Sequence, residues 1–185
     1  MDTLINLDSI FDHAELRVGV ISDTHSRLNE HVVGALNDCD VILHAGDIGN
    51  ATVLNDLNRF TPHVFSVRGN NDIEEKWPTE DLPALQKIPD ALELTFKQQR
   101  IAVTHGHQFP AVDTRHQKLR QQFPQANIII YGHSHLLVCD REEHPWVINP
   151  GPGGYNRTFK GASCLVMHYK KMQWEIKETR TQKPS

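Results

Sequence analysis

Short apolar runs recur along the chain, each bounded by Gly, Pro, Asn or Asp. Five of them are rich in β-branched residues and predict buried strands. These five runs cover residues 17–21, 41–44, 63–67, 101–104 and 127–131. Between the first three runs, apolar residues at helical spacing predict two helices that each pack by one face. This βαβαβ opening is typical of a largely parallel sheet covered by helices, with right-handed crossovers.

The second half of the chain has a different pattern, with strands in close succession. A hairpin is predicted from residues 92–96 and 100–104, and further strands at 136–139, 146–148, 162–168 and 173–177. Their short connections favour antiparallel pairing and a second sheet. A helix is expected near residues 114–123, where Leu119 and Phe123 are the large apolar side chains.

The length of 185 residues favours one domain. We interpret residues 1–185 as a single domain with an N-terminal extension at 1–15 and a polar tail at 178–185. Apolar residues between positions 4 and 11 fit either an amphipathic turn packed on the body or a loosely docked terminus. The tail is expected to fray.

Charge and composition exclude several classes of function. With 19 basic and 23 acidic residues the formal charge is -4, so no strong field attracts nucleic acid or an anionic membrane. Long nucleic acids are therefore not expected as partners. No apolar run reaches the roughly 20 residues that span a bilayer, and the first residues do not resemble a signal peptide. The three cysteines form no CxxC pair, so we expect reduced thiols and a cytoplasmic protein.

Residue types that bind metals follow the five strands of the first pattern. These residues are Asp23, Asp47, Asn70, His105 and His133. Two further histidines, His25 and His135, stand two residues after Asp23 and His133. Because ligands bind at the carboxyl ends of strands in open α/β sheets, we expect all seven side chains to converge on one site.

Seven such groups exceed the needs of a four-coordinate ion. They fit two ions of higher coordination number that share a bridging carboxylate. The set contains no thiolate, which disfavours a structural zinc site, and its nitrogen and oxygen donors accept Mn, Fe, Zn, Co or Ni. Four glycines near the ligands are expected to leave room for a substrate. They are Gly46, Gly69, Gly106 and Gly132.

Five ordered motifs carry a resemblance to a known family. They are SDTH at 22–25, GD at 46–47, GNND at 69–72, THGH at 104–107 and GHSH at 132–135. This order resembles the calcineurin-like metallophosphoesterase superfamily, and THGH with the INPG run at 148–151 resembles its YfcE-type phosphodiesterase subgroup. The resemblance covers residues 17–177. It implies an α/β fold, a four-layer αββα sandwich of two mixed β-sheets flanked by helices, with a binuclear metal centre at one edge.

The resemblance also implies roles for the seven residues. Carried over by motif, the first metal would be held by Asp23, His25 and His135, the second by Asn70, His105 and His133, and Asp47 would bridge the two. The implied reaction is hydrolysis of a small phosphoester, most readily a diester, by a metal-bridging hydroxide. Asp47 is the bridging ligand of that nucleophile, and no Ser or Cys nucleophile is needed.

One position departs from the wider superfamily, in which a His after the Asn of GN is thought to protonate the leaving group. Here that residue is Asn71, whose amide gives up no proton near neutral pH. The YfcE-type subgroup also commonly lacks this His. We therefore expect diesters and good leaving groups to be favoured. Asn71, Arg68 and His107 are the predicted substrate contacts, and a surface salt bridge is the alternative for Arg68.

Other functions stay open at this stage. The small retromer subunit resembles the same subgroup and serves chiefly as a scaffold, so a protein-binding scaffold that retains the fold is one alternative. A metal storage or sensor protein is another, and a nuclease or cyclic-nucleotide phosphodiesterase is an alternative in substrate alone. A scaffold is expected to lose ligands, whereas all seven positions here hold coordinating side chains. The resemblance also allows a homo-oligomer, which no residue decides.

Overall fold

Eleven strands form two mixed sheets in the part of the chain that the structure describes, residues 3–155 and 161–181 of a computed structural model. The strands are β1 Thr3–Asn6, β2 Leu16–Ile21, β3 Val41–His44, β4 Val64–Ser66, β5 Ala91–Phe96, β6 Gln99–Thr104, β7 Ile128–Ile130, β8 Leu137–Asp140, β9 Trp146–Pro150, β10 Ser163–Lys170 and β11 Gln173–Arg180. The helices are α1 Glu30–Val33, α2 Ala51–Leu57, α3 Leu82–Leu85 and α4 Val112–Gln122, and 3-10 turns lie at Leu7–Ser9, Gly34–Leu36 and Thr79–Asp81.

The five predicted strands of the opening pattern are present, but they divide between two sheets. The five-stranded sheet has the order β11-β10-β2-β3-β4, in which β2, β3 and β4 are parallel. The six-stranded sheet has the order β1-β5-β6-β7-β9-β8, in which β6, β7 and β9 are parallel. The sheet of the βαβαβ opening is mixed instead of largely parallel, because β10 and β11 join it in antiparallel pairs. The second sheet predicted from the hairpin of β5 and β6 is present.

The inner faces of the two sheets share one core. Along β5 every second residue is buried, as expected for a strand with one face in the core. Leu94 and Phe96 from the six-stranded sheet pack in the same apolar cluster as Val20 and Leu43 from the five-stranded sheet, and all four are at most 1% exposed. Burial of each such side chain contributes on the order of 2 kcal/mol. This core fixes the two sheets relative to each other.

Helices cover the outer faces of both sheets and complete the four layers. A second apolar cluster joins Val32, Leu57 and Leu85 on the helices to Ile42 on β3. A third joins Leu119 on α4 to strands β6, β7 and β9. The αββα sandwich implied by the resemblance is confirmed. Within the described residues, no helix is long and apolar enough to cross a bilayer.

Both ends of the chain add strands to the sheets. β1 pairs in parallel with β5 at the edge of the six-stranded sheet, and Leu7 directly after it is 1% exposed in the inner core. The extension supplies an edge strand and, at Leu7–Ser9, a turn packed on the body, so the alternative of a packed turn is confirmed in part and that of a loosely docked terminus is wrong. β11 continues to Arg180, so residues 178–180 of the predicted tail are paired with β10 instead of frayed. Residues 1–2 and 182–185 lie outside the described residues.

Candidate metal centre

Loops that follow β2, β3 and β7 bring four of the predicted ligands together. The ligand atoms of Asp23, His25, Asp47 and His135 all lie within 4.8 Å of one another, and we call these four residues the carboxylate cluster. His135 Nε2 is 3.2 Å from Asp23 Oδ1 and 3.4 Å from His25 Nε2. His25 Nε2 is 3.7 Å from Asp47 Oδ2. Oxygen and nitrogen donors thus surround one point.

The other three predicted ligands lie beside this cluster, in the loops after β4, β6 and β7. Asn70 Oδ1 is 3.2 Å from His105 Nε2 and 3.1 Å from His133 Nδ1, and we call these three residues the amide cluster. Asp47 stands between the two clusters. Its Oδ1 is 3.5 Å from His105 Nε2, while its Oδ2 faces His25. All seven residues named from the sequence therefore meet at one edge of the sandwich.

The backbone at this edge adopts a conformation that most residues avoid. Five of the seven residues have a positive φ, and they are Asp23 at 52°, His25 at 44°, Asp47 at 55°, His133 at 64° and His135 at 51°. Each such residue costs on the order of 1 to 2 kcal/mol. Backbone hydrogen bonds between the two loops oppose this strain, as from Asp23 N to Gly46 O at 2.9 Å and from His25 N to Asp47 O at 3.0 Å. Strain of this kind is typical of functional loops.

The glycines of the motifs make room for protein atoms. A Cβ on Gly69 would lie 2.2 Å from Asp47 Oδ1, and a Cβ on Gly132 would lie 2.1 Å from Ser22 Oγ. At Gly46 the nearest atom would be His105 Nδ1 at 2.7 Å. The expectation that these glycines leave room for a substrate is corrected, because they allow the ligand loops to pack against one another.

One buried oxygen tests whether a cation fits this site. Asp23 Oδ1 is buried and accepts no hydrogen bond, and the Asp23 side chain is 0% exposed. The other oxygen, Asp23 Oδ2, accepts a hydrogen bond from His133 N at 3.1 Å. A buried carboxylate oxygen that accepts no hydrogen bond costs about 1–3 kcal/mol or more, which a bound cation offsets. Two carboxylates with two imidazoles form a donor set suited to first-row divalent metals. The residues of the carboxylate cluster therefore fit a divalent ion.

Hydrogen bonds keep the central carboxylate ionised. Burial opposes ionisation of Asp47, but hydrogen bonds from His105 and Asn71 outweigh it and hold the pKa of Asp47 well below its usual range. Asn71 donates from its backbone N to Asp47 Oδ1 at 2.8 Å and from Nδ2 to Asp47 Oδ2 at 2.7 Å. These two hydrogen bonds fix the orientation of the Asp47 carboxylate.

The two histidines of the amide cluster have opposite electrostatic surroundings. Burial lowers the pKa of His105, but the hydrogen bond with Asp47 and the charges of Asp23 and Asp47 outweigh it, so the pKa is raised. For His133, burial and the charges of His105 and Arg115 lower the pKa. Since a carbonyl only accepts, His105 Nδ1 donates to Ala45 O at 2.8 Å. His105 Nε2 is thereby directed at the centre.

A buried aspartate of the GNND motif, Asp72, connects two ligand loops. Asp72 accepts hydrogen bonds from Ile48 N and Gly49 N, both at 2.9 Å, and from Gly69 N at 2.8 Å. It also accepts one from Trp77 Nε1 at 2.9 Å. These bonds tie the loop that carries Asp47 to the loop that carries Asn70. The GNND motif contains Asp72, but spacing alone does not reveal a contact with residues 48 and 49.

His44, the last residue of β3, supports the same loops through hydrogen bonds. It is 0% exposed, accepts a hydrogen bond from Gly46 N at 3.2 Å through Nδ1, and contacts Thr24 Oγ1 through Nε2 at 2.9 Å. Burial lowers its pKa to about 4, so the ring is neutral near pH 7. Thr24 in turn donates to Ile48 O at 3.1 Å. His44 therefore fixes backbone beside the ligands.

The three predicted substrate contacts lie at different distances from the centre. Asn71 touches Asp47, and Lys76 Nζ donates to Asn71 Oδ1 at 2.6 Å. His107 is exposed, and its ring centroid lies 5.5 Å from that of His105. Arg68 forms a salt bridge with Asp90 at 3.0 Å, as its alternative predicted.

Comparison with known proteins agrees with this geometry. The model of the calcineurin-like phosphoesterase superfamily domain matches residues 16–172. Phosphodiesterase MJ0936 of Methanocaldococcus jannaschii is 26% identical over 147 residues, which are 74% of this chain and 83% of that protein. Phosphodiesterase YfcE of Escherichia coli is 30% identical over 106 residues, which are 55% of this chain and 50% of that protein.

Solved structures agree in fold. Vacuolar Protein Sorting 29 from Cryptosporidium parvum has a TM-score of 0.71 and 17% identity, over 92% of this chain and 100% of that one. The structure of Escherichia coli YfcE has a TM-score of 0.57 and 24% identity, over 82% of this chain and 87% of that one. At such identities these neighbours support the architecture of two mixed sheets and nothing further.

Proposed function

The chain belongs to the calcineurin-like phosphoesterase superfamily and is a metal-dependent phosphoesterase, and we propose that it hydrolyses small cytoplasmic phosphodiesters at a binuclear centre. The observation that carries this proposal is the position of Asp47 between the two clusters. One of its oxygens is 3.5 Å from His105 Nε2 and the other is 3.7 Å from His25 Nε2. Relatives named phosphodiesterase support a diester as substrate.

In this proposal the two clusters hold one divalent ion each. Asp23, His25 and His135 would hold the first ion, and Asn70, His105 and His133 would hold the second. Asp47 would contribute to both, and manganese is the expected metal. When bound, two such ions supply an activated water for in-line attack on phosphorus and neutralise the charge of the phosphate.

The residues of the chain orient this chemistry and handle the leaving oxygen. Asn71 keeps Asp47 ionised and aimed through its two hydrogen bonds. The Asn71 amide cannot protonate a leaving alkoxide. The charged donor beside it is the Lys76 ammonium, 2.6 Å from Asn71 Oδ1. We call these two residues the Asn71–Lys76 rim and propose that the oxygen of the leaving group lies beside it during the reaction. Good leaving groups are favoured because the rim offers a hydrogen bond from an ammonium instead of an imidazolium proton.

Hydrolysis of bis(p-nitrophenyl) phosphate by the purified protein tests this function. We expect turnover with added Mn²⁺, two bound ions per chain by elemental analysis, and loss of turnover in Asp47→Asn. The control is Asp113→Asn, which neutralises an exposed carboxylate on α4. Absence of turnover with Mn, Ni, Co and Zn, in a folded protein with bound metal, contradicts the proposal.

A protein-binding scaffold with the same fold is the alternative that this experiment separates. Structures of Vacuolar Protein Sorting 29 share the architecture at 17% identity, which carries the fold alone. Bound metal without turnover of any diester supports the scaffold. Homo-oligomer formation stays a prediction, to be tested by sedimentation.

A further inference from the structure

Two cavities lead away from the carboxylate cluster and share Arg27 and Tyr155. The smaller one, of 130 Å³, is lined by these two residues together with Asp23 and His25. The larger one, of 520 Å³, is bounded by residues of α1 and α2 and begins at Ser26, Arg27 and Tyr155. We call the larger one the α1–α2 cleft. The shared residues place its mouth directly beside the first set of predicted ligands.

The sizes of the two cavities suit different parts of a substrate. Sites for small organic molecules occupy about 300–1,000 Å³, a range that includes the 520 Å³ cleft. The 130 Å³ cavity is below this range, and it is lined by Asp23 and His25 and by the Arg27 and Tyr155 that also line the cleft. An organic group on a phosphate held at the centre would therefore extend into the α1–α2 cleft.

The mouth of the cleft offers an aromatic surface and a cation. The Arg27 guanidinium lies 4.9 Å from the centroid of the Tyr155 ring, and Tyr155 is 50% exposed. A planar guanidinium over an aromatic ring can stack on a second ring and can also donate to a phosphate oxygen. Both properties are useful where a ring is attached to a phosphate.

The walls of the cleft combine apolar and hydrogen-bonding groups. Val33, Val53 and Phe60 provide apolar surface, and Asn37 provides an amide. Acidic and basic side chains are balanced, with Glu30 and Asp56 against Arg27 and Arg59. Among the described residues that line the cleft, acidic and basic side chains are equal in number, which disfavours a second anionic group. It suits a neutral ring whose edge both donates and accepts hydrogen bonds.

We propose that the α1–α2 cleft binds the alcohol that stays on phosphorus, and that this alcohol is a neutral, ring-containing group of nucleoside size. The inference rests on the proposed phosphodiesterase function. We place the retained substituent beside His25, Arg27 and Tyr155, because the cavity lined by Asp23 and His25 shares Arg27 and Tyr155 with the cleft. The cleft thereby distinguishes diesters by the group that is not cleaved off.

Gly34 allows the cleft to be filled without strain. It lines the cleft, has φ -57°, and a Cβ built on it meets no heavy atom within 4 Å. Gly34→Trp therefore places a large ring in the open space. The matched control is Val112→Trp, since Val112 is 73% exposed on α4, against the other sheet.

Two substrates with the same leaving group measure the effect. These are thymidine 5′-(p-nitrophenyl phosphate) and methyl p-nitrophenyl phosphate. We expect the protein and Val112→Trp to prefer the thymidine ester in kcat/KM by about tenfold or more, as for one well-filled subsite. In Gly34→Trp the ratio should fall toward one, through a raised KM for the thymidine ester. Tyr155→Leu should lower the ratio in the same direction without adding volume.

A binding measurement separates failure of this inference from failure of the proposed function. Thymidine 5′-(methyl phosphate), a diester with a poor leaving group, is titrated into the protein, Gly34→Trp and Val112→Trp by calorimetry. If the protein and Val112→Trp bind this diester and Gly34→Trp does not, the cleft is supported. This holds even where neither nitrophenyl ester is hydrolysed, although that absence of turnover would overturn the proposed hydrolase function. Turnover with equal kcat/KM for both esters in all proteins overturns the cleft and leaves the hydrolase standing. Equal binding by all three proteins, or absence of binding, also overturns it.

Discussion

The carboxylate cluster and the amide cluster differ in charge and burial. In the first, the Asp23 and Asp47 side chains are 0% and 2% exposed, and Asp23 Oδ1 accepts no hydrogen bond. In the second, the oxygen ligand is the neutral and exposed Asn70. Buried carboxylates cost free energy until a cation neutralises them, whereas an exposed amide does not. The carboxylate cluster should therefore bind its ion first and more tightly.

The clusters are alike in drawing on both sheets. The carboxylate cluster takes three residues from loops of the five-stranded sheet and His135 from the six-stranded one. The amide cluster takes Asn70 from the former, and His105 and His133 from the latter. The distances between ligand atoms that come from different sheets therefore depend on the inner core that the two sheets share. This explains why the loops are braced so closely, by glycine contacts and by buried polar residues.

The largest effect is expected from Asp47→Asn, because it affects both clusters at once. Loss of one charge from the shared ligand should lower kcat/KM for a diester by about 10³-fold or more, the scale of removing a central electrostatic group. Metal analysis should show fewer than two ions per chain. Activity within tenfold of the unaltered protein would show that Asp47 is not shared.

Two substitutions, one in each cluster, test this difference in metal affinity directly. They are Asp23→Asn and Asn70→Ala. Titration of the metal-free protein with Mn²⁺ should show a tight and a weak binding event. Asp23→Asn should weaken the tight event by about 100-fold, and Asn70→Ala should remove the weak event alone. Calorimetry measures both. If Asn70→Ala instead removes the tight event, the order of loading is the reverse of that inferred from burial and charge.

Much of the site could be predicted from the sequence because its chemistry is local. Each ligand follows a β-branched run, so the strand ends locate Asp23, Asp47, Asn70 and the GHSH histidines along the chain. The second sheet could be predicted from the short connections after residue 91, but the order of the strands within each sheet could not. Residues 17–21 and 101–104 have the same pattern although they belong to different sheets, and pairing partners are set by non-local contacts.

The same limit explains what was missed at the ends and around the ligands. β1 has only four residues and pairs with β5, whose partner residues start at Leu92. No local pattern distinguishes such a strand from a loose terminus. The hydrogen bonds that Asp72 accepts from Ile48 N and Gly49 N likewise join positions 24 and 23 residues apart. Spacing indicates which residues could be ligands, but not which residues brace them.

Asp72→Asn tests whether the brace serves both clusters. The substitution keeps the shape but turns one acceptor into a donor facing backbone N–H groups. We expect kcat/KM to fall by about 10 to 100-fold, as for groups that orient metal ligands, and the free energy of unfolding to fall by about 1–3 kcal/mol.

Trp77→Phe is the control for the brace, because it removes the hydrogen bond from the indole to Asp72 and leaves Asp72 unchanged. Its cost in unfolding free energy should be about 1 kcal/mol for the hydrogen bond, with a further cost of about 1 kcal/mol for the buried ring atoms that are lost. Calorimetric Mn²⁺ titration of Asp72→Asn should show both binding events weakened. Weakening of one event alone would assign the brace to a single cluster.

The smallest effect is expected outside both clusters, at Lys76. Its ammonium is 2.6 Å from Asn71 Oδ1, on the side assigned to the leaving oxygen. Because this charge is exposed and screened, Lys76→Met should slow diesters with poor leaving groups by only about fivefold. Diesters of p-nitrophenol, whose leaving oxygen needs little support, should be affected less. The slope of log kcat against leaving-group pKa should therefore steepen in Lys76→Met and be restored in Lys76→Arg. Lys118→Met, an exposed lysine on α4, should leave the slope as it is. An equal slope in all four proteins would show that the leaving group departs on another side of the metal centre. The difference between the two clusters would then be limited to their metal ligands.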